Sequence, residues 1–251
     1  MKSRLCQLSW GLLAGIGLIH SLSASAAADT EPVQELGVVT VKSQTPTLFP
    51  YRKAWRAFEV FAQHHQLAPD ASLRFVLALR DRQVDGAADN MLALHLVSGN
   101  ASLPIALDAE RRFALPRDQQ AWDDNADLIV NRKPGLYIGL PDIRTPGVPD
   151  NARRLGDLRL QCEIGWAIVK DDVGLLQRTA FAVLGGPCHT SMARIGIRAP
   201  RRLVGATLIA GERREPLDAK RIIANGRFFA APYHDGSWPD DTLVEFQYAA
   251  E

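Results

Sequence analysis

Short runs in which apolar and polar residues alternate, separated by turn-forming residues, dominate the chain from Ser72 onward. A period of two places alternate side chains on opposite faces of a β-strand. Short strands at this spacing are typical of antiparallel sandwiches. The sequence therefore predicts a mainly β fold with some α. The predicted strands cover 73–79, 92–97, 103–107, 111–116, 127–131 and 135–140 in the first half, and 192–198, 203–210, 216–223, 226–231 and 242–248 in the second.

Residues 51–66 follow a helical period instead. Tyr51, Trp55 and Phe58 fall at i, i+4 and i+7, on one face of a helix. The spacing predicts an amphipathic helix whose aromatic face packs on a sheet, ended near Pro69.

The segment 153–172 is ambiguous. Leu155, Leu158 and Cys162 fall at helical spacing, whereas Leu158, Leu160 and Cys162 also fit an alternating strand. Helix and strand both remain open for this segment.

The N-terminus has the pattern of a secretory signal peptide. Lys2 and Arg4 precede an apolar run over 8–19, and Ala24-Ser25-Ala26 fits the small-residue cleavage rule. The run is shorter than the roughly 20 residues of a membrane-spanning helix. We therefore expect residues 1–28 to be a signal peptide, with no membrane span after its removal. The mature chain is then soluble and periplasmic or secreted.

The charge balance argues against nucleic acid as a partner. The chain has 29 Lys and Arg against 28 Asp and Glu, a net charge of +1. Loss of Lys2 and Arg4 leaves 27 basic against 28 acidic residues, so the mature charge is about −1. No excess of positive charge is left to neutralise a phosphate backbone.

The Arg-Arg pairs could bind anionic polymers, but the near-neutral charge balance favours solvated faces; the pairs are Arg111-Arg112, Arg153-Arg154, Arg201-Arg202 and Arg213-Arg214.

The cysteines predict one disulfide. Cys6 lies in the signal peptide, which leaves Cys162 and Cys188 in the mature chain. An even pair in an oxidising compartment is expected to form a bond. The alternative is a reactive thiol at Cys188 beside His189.

The mature chain divides into two similar halves. Residues 29–50, with three prolines, form a flexible leader, and the Pro- and Gly-containing segment 142–152 is a linker between modules 51–141 and 153–251. The pair Arg112-Phe113 recurs 115 residues later, and Trp122 recurs 116 residues later. This order predicts a duplicated structural module, with Phe113 and Phe228 in the two cores.

The repeated segment resembles the carboxypeptidase regulatory-like modules, which are prealbumin-type β-sandwiches. Asn225-Gly226-Arg227-Phe228 is similar to their turn, whereas Glu110-Arg111-Arg112-Phe113 lacks the glycine. The resemblance implies two related antiparallel β-sandwich modules of structural or binding type, the first preceded by the helix over 51–66. It implies no catalytic residues.

Known catalytic and metal-binding spacings are absent from the sequence. A turn-rich loop with His234, Asp235, Asp240 and Asp241 is the candidate polar site, in which Ser237 could complete a triad. Residues so close in sequence rarely reach triad geometry, so no catalytic residue, metal or cofactor is assigned.

The acidic turns could hold Ca²⁺, although solvated turns explain them as well; they contain Asp123, Asp124, Asn125 and Asp127, and Asp235, Asp240 and Asp241.

The sequence thus predicts a soluble cell-envelope protein that binds a partner protein or polymer, or serves in structure or assembly, without catalysis. Two alternatives stay open: an exported hydrolase with a site assembled from distant residues, and a calcium-stabilised module.

Overall fold

The computed structural model describes residues 47–80 and 91–250. The predicted signal peptide and most of the predicted leader lie outside these residues. The last four leader residues, Thr47–Pro50, form a strand that pairs with Asp127–Val130.

The first half contains two helices and seven strands among the described residues. They are β1 (Thr47–Pro50), α1 (Tyr51–His64), β2 (Phe75–Leu79), β3 (Leu94–Ser98), β4 (Ala101–Ile105), β5 (Arg112–Phe113), α2 (Gln119–Asp123), β6 (Asp127–Val130) and β7 (Tyr137–Pro141).

The second half also contains two helices and seven strands in the described part of the chain. They are β8 (Ala152–Arg154), α3 (Leu155–Val169), α4 (Leu175–Val183), β9 (Ile197–Arg198), β10 (Leu203–Ala210), β11 (Arg213–Pro216), β12 (Ile222–Ile223), β13 (Phe228–Phe229) and β14 (Leu243–Tyr248).

This architecture confirms the mainly β fold with some α, and α1 confirms the amphipathic helix that precedes most of the first-half strands. The prediction of one strand over 216–223 is wrong: Pro216 ends β11, a 3₁₀ turn occupies Ala219–Arg221, and Ile222–Ile223 form β12 in another sheet. The strand predicted over 192–198 is confined to Ile197–Arg198. The arrangement as two sandwich modules stays a prediction. Within residues 47–80 and 91–250, no helix has the length and apolar character needed to cross a membrane.

The ambiguous segment is the helix α3, and its surroundings explain the ambiguity. Leu160 and Ile164 pack in the core of the first half, whereas Leu155, Leu158 and Cys162 pack in the core of the second half. A helix buried on two sides has no single apolar stripe. Its pattern therefore fits an alternating strand equally well.

Each half contains a four-stranded antiparallel sheet, and the two sheets have the same strand order. The first is β1-β6-β3-β4 and the second is β8-β14-β10-β11. In the first sheet Leu96 lies opposite Leu128. In the second Leu208 lies opposite Val244.

The two sheets also join their helices in the same way. Pro50 lies opposite Asp127, and Tyr51, which begins α1, donates its N–H to the carbonyl of Ala126 at 2.8 Å. Leu155 begins α3 and donates its N–H to the carbonyl of Thr242, also at 2.8 Å. A strand thus leads directly into a helix beside the same sheet in both halves.

Two three-stranded sheets, β5-β2-β7 and β12-β13-β9, complete the described architecture. Phe113 lies opposite Phe75, and both side chains are fully buried. The prediction that Phe228 lies in the second core is wrong, because Phe229 is fully buried and Phe228 is half-buried. The Arg227 N–H donates to the carbonyl of Ala224 and closes the turn before β13. The strand β13 therefore begins one residue later than the match between Arg112-Phe113 and Arg227-Phe228 implies.

Candidate functional site

A cleft lies where residues of β7, α3, β9 and β13 come together. Its apolar end has a volume of about 460 Å³, and Gly165 and Trp166 of α3 line it. Further apolar residues come from the flanking strands and the loop before β9; they include Ile138, Leu140, Ile195 and Phe228.

A second cavity of about 250 Å³ continues the cleft, and we call it the arginine end. Five residues line both cavities, so the two cavities are adjacent and share part of their wall; they are Leu140, Pro141, Gln161, Ile197 and Arg198. The charged residues that line the arginine end are Arg112, Arg144, Arg153, Arg198, Glu110 and Asp142.

The pleat of β2 explains how one wall of the cleft forms. Phe75 and Leu77 point into the core, while Val76 and Ala78 are half-buried on the opposite face and line the arginine end. Leu140 of β7 lies opposite Val76 and extends the wall to the apolar end.

Asp142 is the central anion of the arginine end and is only 6% exposed. Its carboxylate lies 3.1 Å from Arg112 Nε, 3.0 Å from Arg144 Nε and 3.7 Å from Arg153 Nη1. One carboxylate faces three guanidinium groups, so this end carries an excess of positive charge.

Arg153 is buried with one hydrogen-bonding atom unused. Its Nη2 donates to the carbonyl of Ile143 at 2.7 Å and to Gln161 Oε1 at 2.8 Å. Its Nε is buried and has no partner among the described residues. Burial lowers the pKa of Arg153 to about 10. A buried guanidinium with an unmet donor is costly and is stabilised by an additional anion or acceptor.

Arg198 lies where the apolar end meets the arginine end. Within the described part of the chain its side chain has no ion pair or hydrogen bond, and its Nε is buried. Its Cζ lies 5.5 Å from the centre of the Phe228 ring. Burial lowers the pKa of Arg198. Arg198 is therefore a cation without a counter-charge at the junction of the two cavities.

The predicted polar loop is held by Arg159 of α3. Arg159 donates to the carbonyls of Tyr233, Asp235 and Trp238 at 2.9, 2.7 and 3.0 Å, and it forms an ion pair with Asp240. Asp235 accepts the Ser237 N–H at 2.9 Å, and the hydrogen bonds from Ser237 lower the pKa of Asp235. These contacts give the loop a structural role.

His234 and Asp240 line a small cavity of about 250 Å³, together with His189 and Glu163. His189 Nε2 lies 2.8 Å from Glu163 Oε1. Asp235 and Asp241 are not among the residues that line this cavity. The lining offers an acid–base pair but, over residues 47–80 and 91–250, no serine, threonine or free thiol, since its cysteine is in a disulfide.

The predicted disulfide is present between Cys162 and Cys188, whose Cα atoms are 6.0 Å apart. Both cysteines are buried, so the alternative of a reactive Cys188 thiol is wrong. The bond joins the middle of α3 to the 3₁₀ turn Pro187–His189, and both Cys162 and Pro187 line the apolar end of the cleft.

The acidic turn near α2 is also engaged in local structure. Asp123 accepts a hydrogen bond from the Gln119 side-chain amide at 3.0 Å, Asp124 accepts the Ser98 hydroxyl at 2.6 Å, and Asp127 begins β6. Over the described residues, no group of three or more His, Cys, Asp or Glu side chains is placed to hold a metal ion.

Sequence reasoning missed the arginine end. Arg112 and Arg153 belong to Arg-Arg pairs that were assigned to solvated faces, and Arg144 and Arg198 were not singled out. The one local signal was Asp142, the single acidic residue that directly follows the apolar run of β7.

No protein-family model, curated protein or solved structure matches this chain.

Proposed function

We propose that this chain is an exported cell-envelope binding protein without catalysis of its own, and that the cleft is its ligand site. The observation that carries the proposal is an apolar cavity of about 460 Å³ that opens onto an arginine cluster with an unpaired cation. Ligand sites are typically concave, mainly apolar and equipped with a few convergent polar groups. Export is supported by the signal-peptide pattern and by the disulfide.

We further propose that the two halves are internal repeats and that the cleft lies at their junction. The support is the shared strand order of the two four-stranded sheets and the shared connection from strand to helix. Val76 and Leu140 come from the first half of the chain, whereas Gly165 and Arg198 come from the second. Ligand sites occur preferentially at such junctions between units.

The test is whether the protein carries a small molecule in the cleft. The full chain is expressed with its signal peptide, isolated from the envelope fraction and examined by native mass spectrometry. We expect a co-purified mass in the wild type that is lost in Gly165→Leu. A Cβ at Gly165 has only Pro141 Cγ near it, at 3.9 Å, so the larger side chain can extend into the cavity.

The matched control is Gly174→Leu, which lies outside the cleft and has only the end of the Gln177 side chain near its Cβ, at 3.8 Å. A co-purified mass that survives Gly165→Leu, or no bound molecule in any preparation, contradicts the cleft as the site. Turnover of an envelope substrate that is lost in His234→Ala contradicts the absence of catalysis.

A further inference from the structure

We propose that the ligand is an amphipathic anion: an alkyl or acyl chain bound in the apolar end, with a carboxylate or phosphate head bound by Arg198. This inference rests on the proposed function, because it names the ligand class of the same cleft.

The apolar end suits a hydrocarbon chain. Its exposed wall consists mainly of carbon atoms, and among the described residues its charged or amide side chains are confined to Arg80, Gln161 and Arg198. A peptide main chain in this space would bring an N–H and a C=O with every residue, and each needs a partner when buried. A hydrocarbon chain has no such requirement and gains free energy from the apolar area that it removes from water.

The head-group site is defined by Arg198 at the point where the two cavities join. Its guanidinium has no counter-charge among the described residues, and its Nε is already removed from solvent. A planar guanidinium binds carboxylate and phosphate oxygens through paired N–H groups. An anion placed here would supply the counter-charge that Arg198 lacks while its chain occupied the apolar end.

The positive charge of the arginine end also favours an anionic ligand. Among the described residues, five arginines and two carboxylates line the two cavities, whereas the mature chain as a whole carries a net charge of about −1. Asp142 is shared among three arginines and cannot neutralise them all. Positive charge concentrated in a concave, partly apolar site attracts anions and disfavours neutral or cationic ligands of the same shape.

The experiment compares four ligands with the same chain: decanoate, decyl phosphate, decanol and decyltrimethylammonium, each below its micelle concentration. Binding to the purified mature protein is followed by calorimetry and by fluorescence of Trp166, which lines the apolar end. We expect at least one anion to bind more than about tenfold tighter than decanol, since hydrogen bonds to charged groups are the stronger class. We expect the cation not to bind. The ranking of decanoate against decyl phosphate tells whether a fatty acid or a phospholipid is the source of the head.

The decisive variant is Arg198→Gln. It should weaken anion binding by about tenfold or more and leave decanol binding unchanged. Arg214→Gln is the matched control, because Arg214 is exposed on β11, pairs with Glu245 and does not line the cleft. It should change neither affinity. Circular dichroism and Tm checks establish that both variants are folded.

The outcomes separate this inference from the proposed function. Equal binding of decanol and decanoate that is blocked by Gly165→Leu overturns the anionic ligand class and leaves the cleft as a binding site. The same holds if an apolar peptide with a free carboxylate binds in the cleft and the alkyl anions do not. Anion binding that is insensitive to both Arg198→Gln and Gly165→Leu overturns the cleft assignment itself.

Discussion

Two glycines of α3 give a sharp test of how this helix is packed. Gly165 lies in the helix interior, and a Cβ there meets only Pro141 Cγ at 3.9 Å, an ordinary contact. A Cβ at Gly156 would lie 2.0 Å from the carbonyl oxygen of Leu67 and 2.9 Å from Arg154 Nη1. The same substitution, Gly to Ala, should therefore have opposite effects at the two positions.

The magnitudes follow from these distances. Gly165→Ala should stabilise the protein by about 0.5–1 kcal/mol, because alanine restricts the unfolded chain and favours the helix. For a chain of this size that corresponds to a Tm increase of about 1–4 °C. Gly156→Ala should destabilise by about 1–3 kcal/mol or more, since backbone must move to relieve the overlap. The movement also disturbs the 2.7 Å hydrogen bond from Arg154 Nη1 to the Leu67 carbonyl.

Urea unfolding followed by circular dichroism measures both changes, with the midpoint as the readout and an unchanged m-value as the check for two-state behaviour. If Gly156→Ala is neutral, the close approach of α3 to Leu67 does not exist in solution. If Gly165→Ala destabilises, the space beside Pro141 is filled, and the cleft as described is absent.

Three further predictions concern the core and the disulfide. Replacing both Cys162 and Cys188 with alanine should lower the free energy of unfolding by about 3–4 kcal/mol, a value that the loop-entropy model gives for the 26-residue separation. The unreduced wild type should show no free thiol in a thiol titration. Phe229→Ala should cost about 3–5 kcal/mol in urea unfolding and Phe228→Ala much less, because only Phe229 is fully buried; equal costs would contradict the register of β13. Burial raises the pKa of Tyr233, so its phenol should stay protonated above about pH 10 in the folded protein. The protonated phenol favours the folded state, and this contribution to the free energy of unfolding is lost as pH rises further. Absorbance at alkaline pH, with Tyr233→Phe as the control, checks this, and ionisation of Tyr233 at its ordinary pKa in the folded protein would refute the burial.

Local chemistry determined much of the fold. The apolar run Leu203–Ala210 is a strand with the predicted ends, although its register shifts between Leu203 and Gly205. The turn that contains Asn225-Gly226 joins β12 to β13, as this dipeptide predicts, although the loop covers 224–227 and Ala224 also adopts positive φ. The disulfide followed from counting cysteines.

The remaining features depend on contacts between distant parts of the chain. The helix α3 was ambiguous because both of its sides are buried, and that burial depends on two different sheets. The arginine end unites Arg112 of β5, Asp142 after β7, Arg153 of β8 and Arg198 of β9. No spacing along the sequence reports this convergence, so each arginine looked like an ordinary surface charge.

The bond between Cys162 and Cys188 has a consequence for the order of events after synthesis. It ties α3 to the turn Pro187–His189, and each of these contributes a residue to the apolar end of the cleft. Under reducing conditions this covalent link is absent. The segment between Cys162 and Cys188 includes α4, a helix with no buried residue, and is then held only by weaker contacts. On the function proposed above, we therefore expect the cleft to retain a ligand only after the disulfide has formed, which requires a compartment where thiols are oxidised.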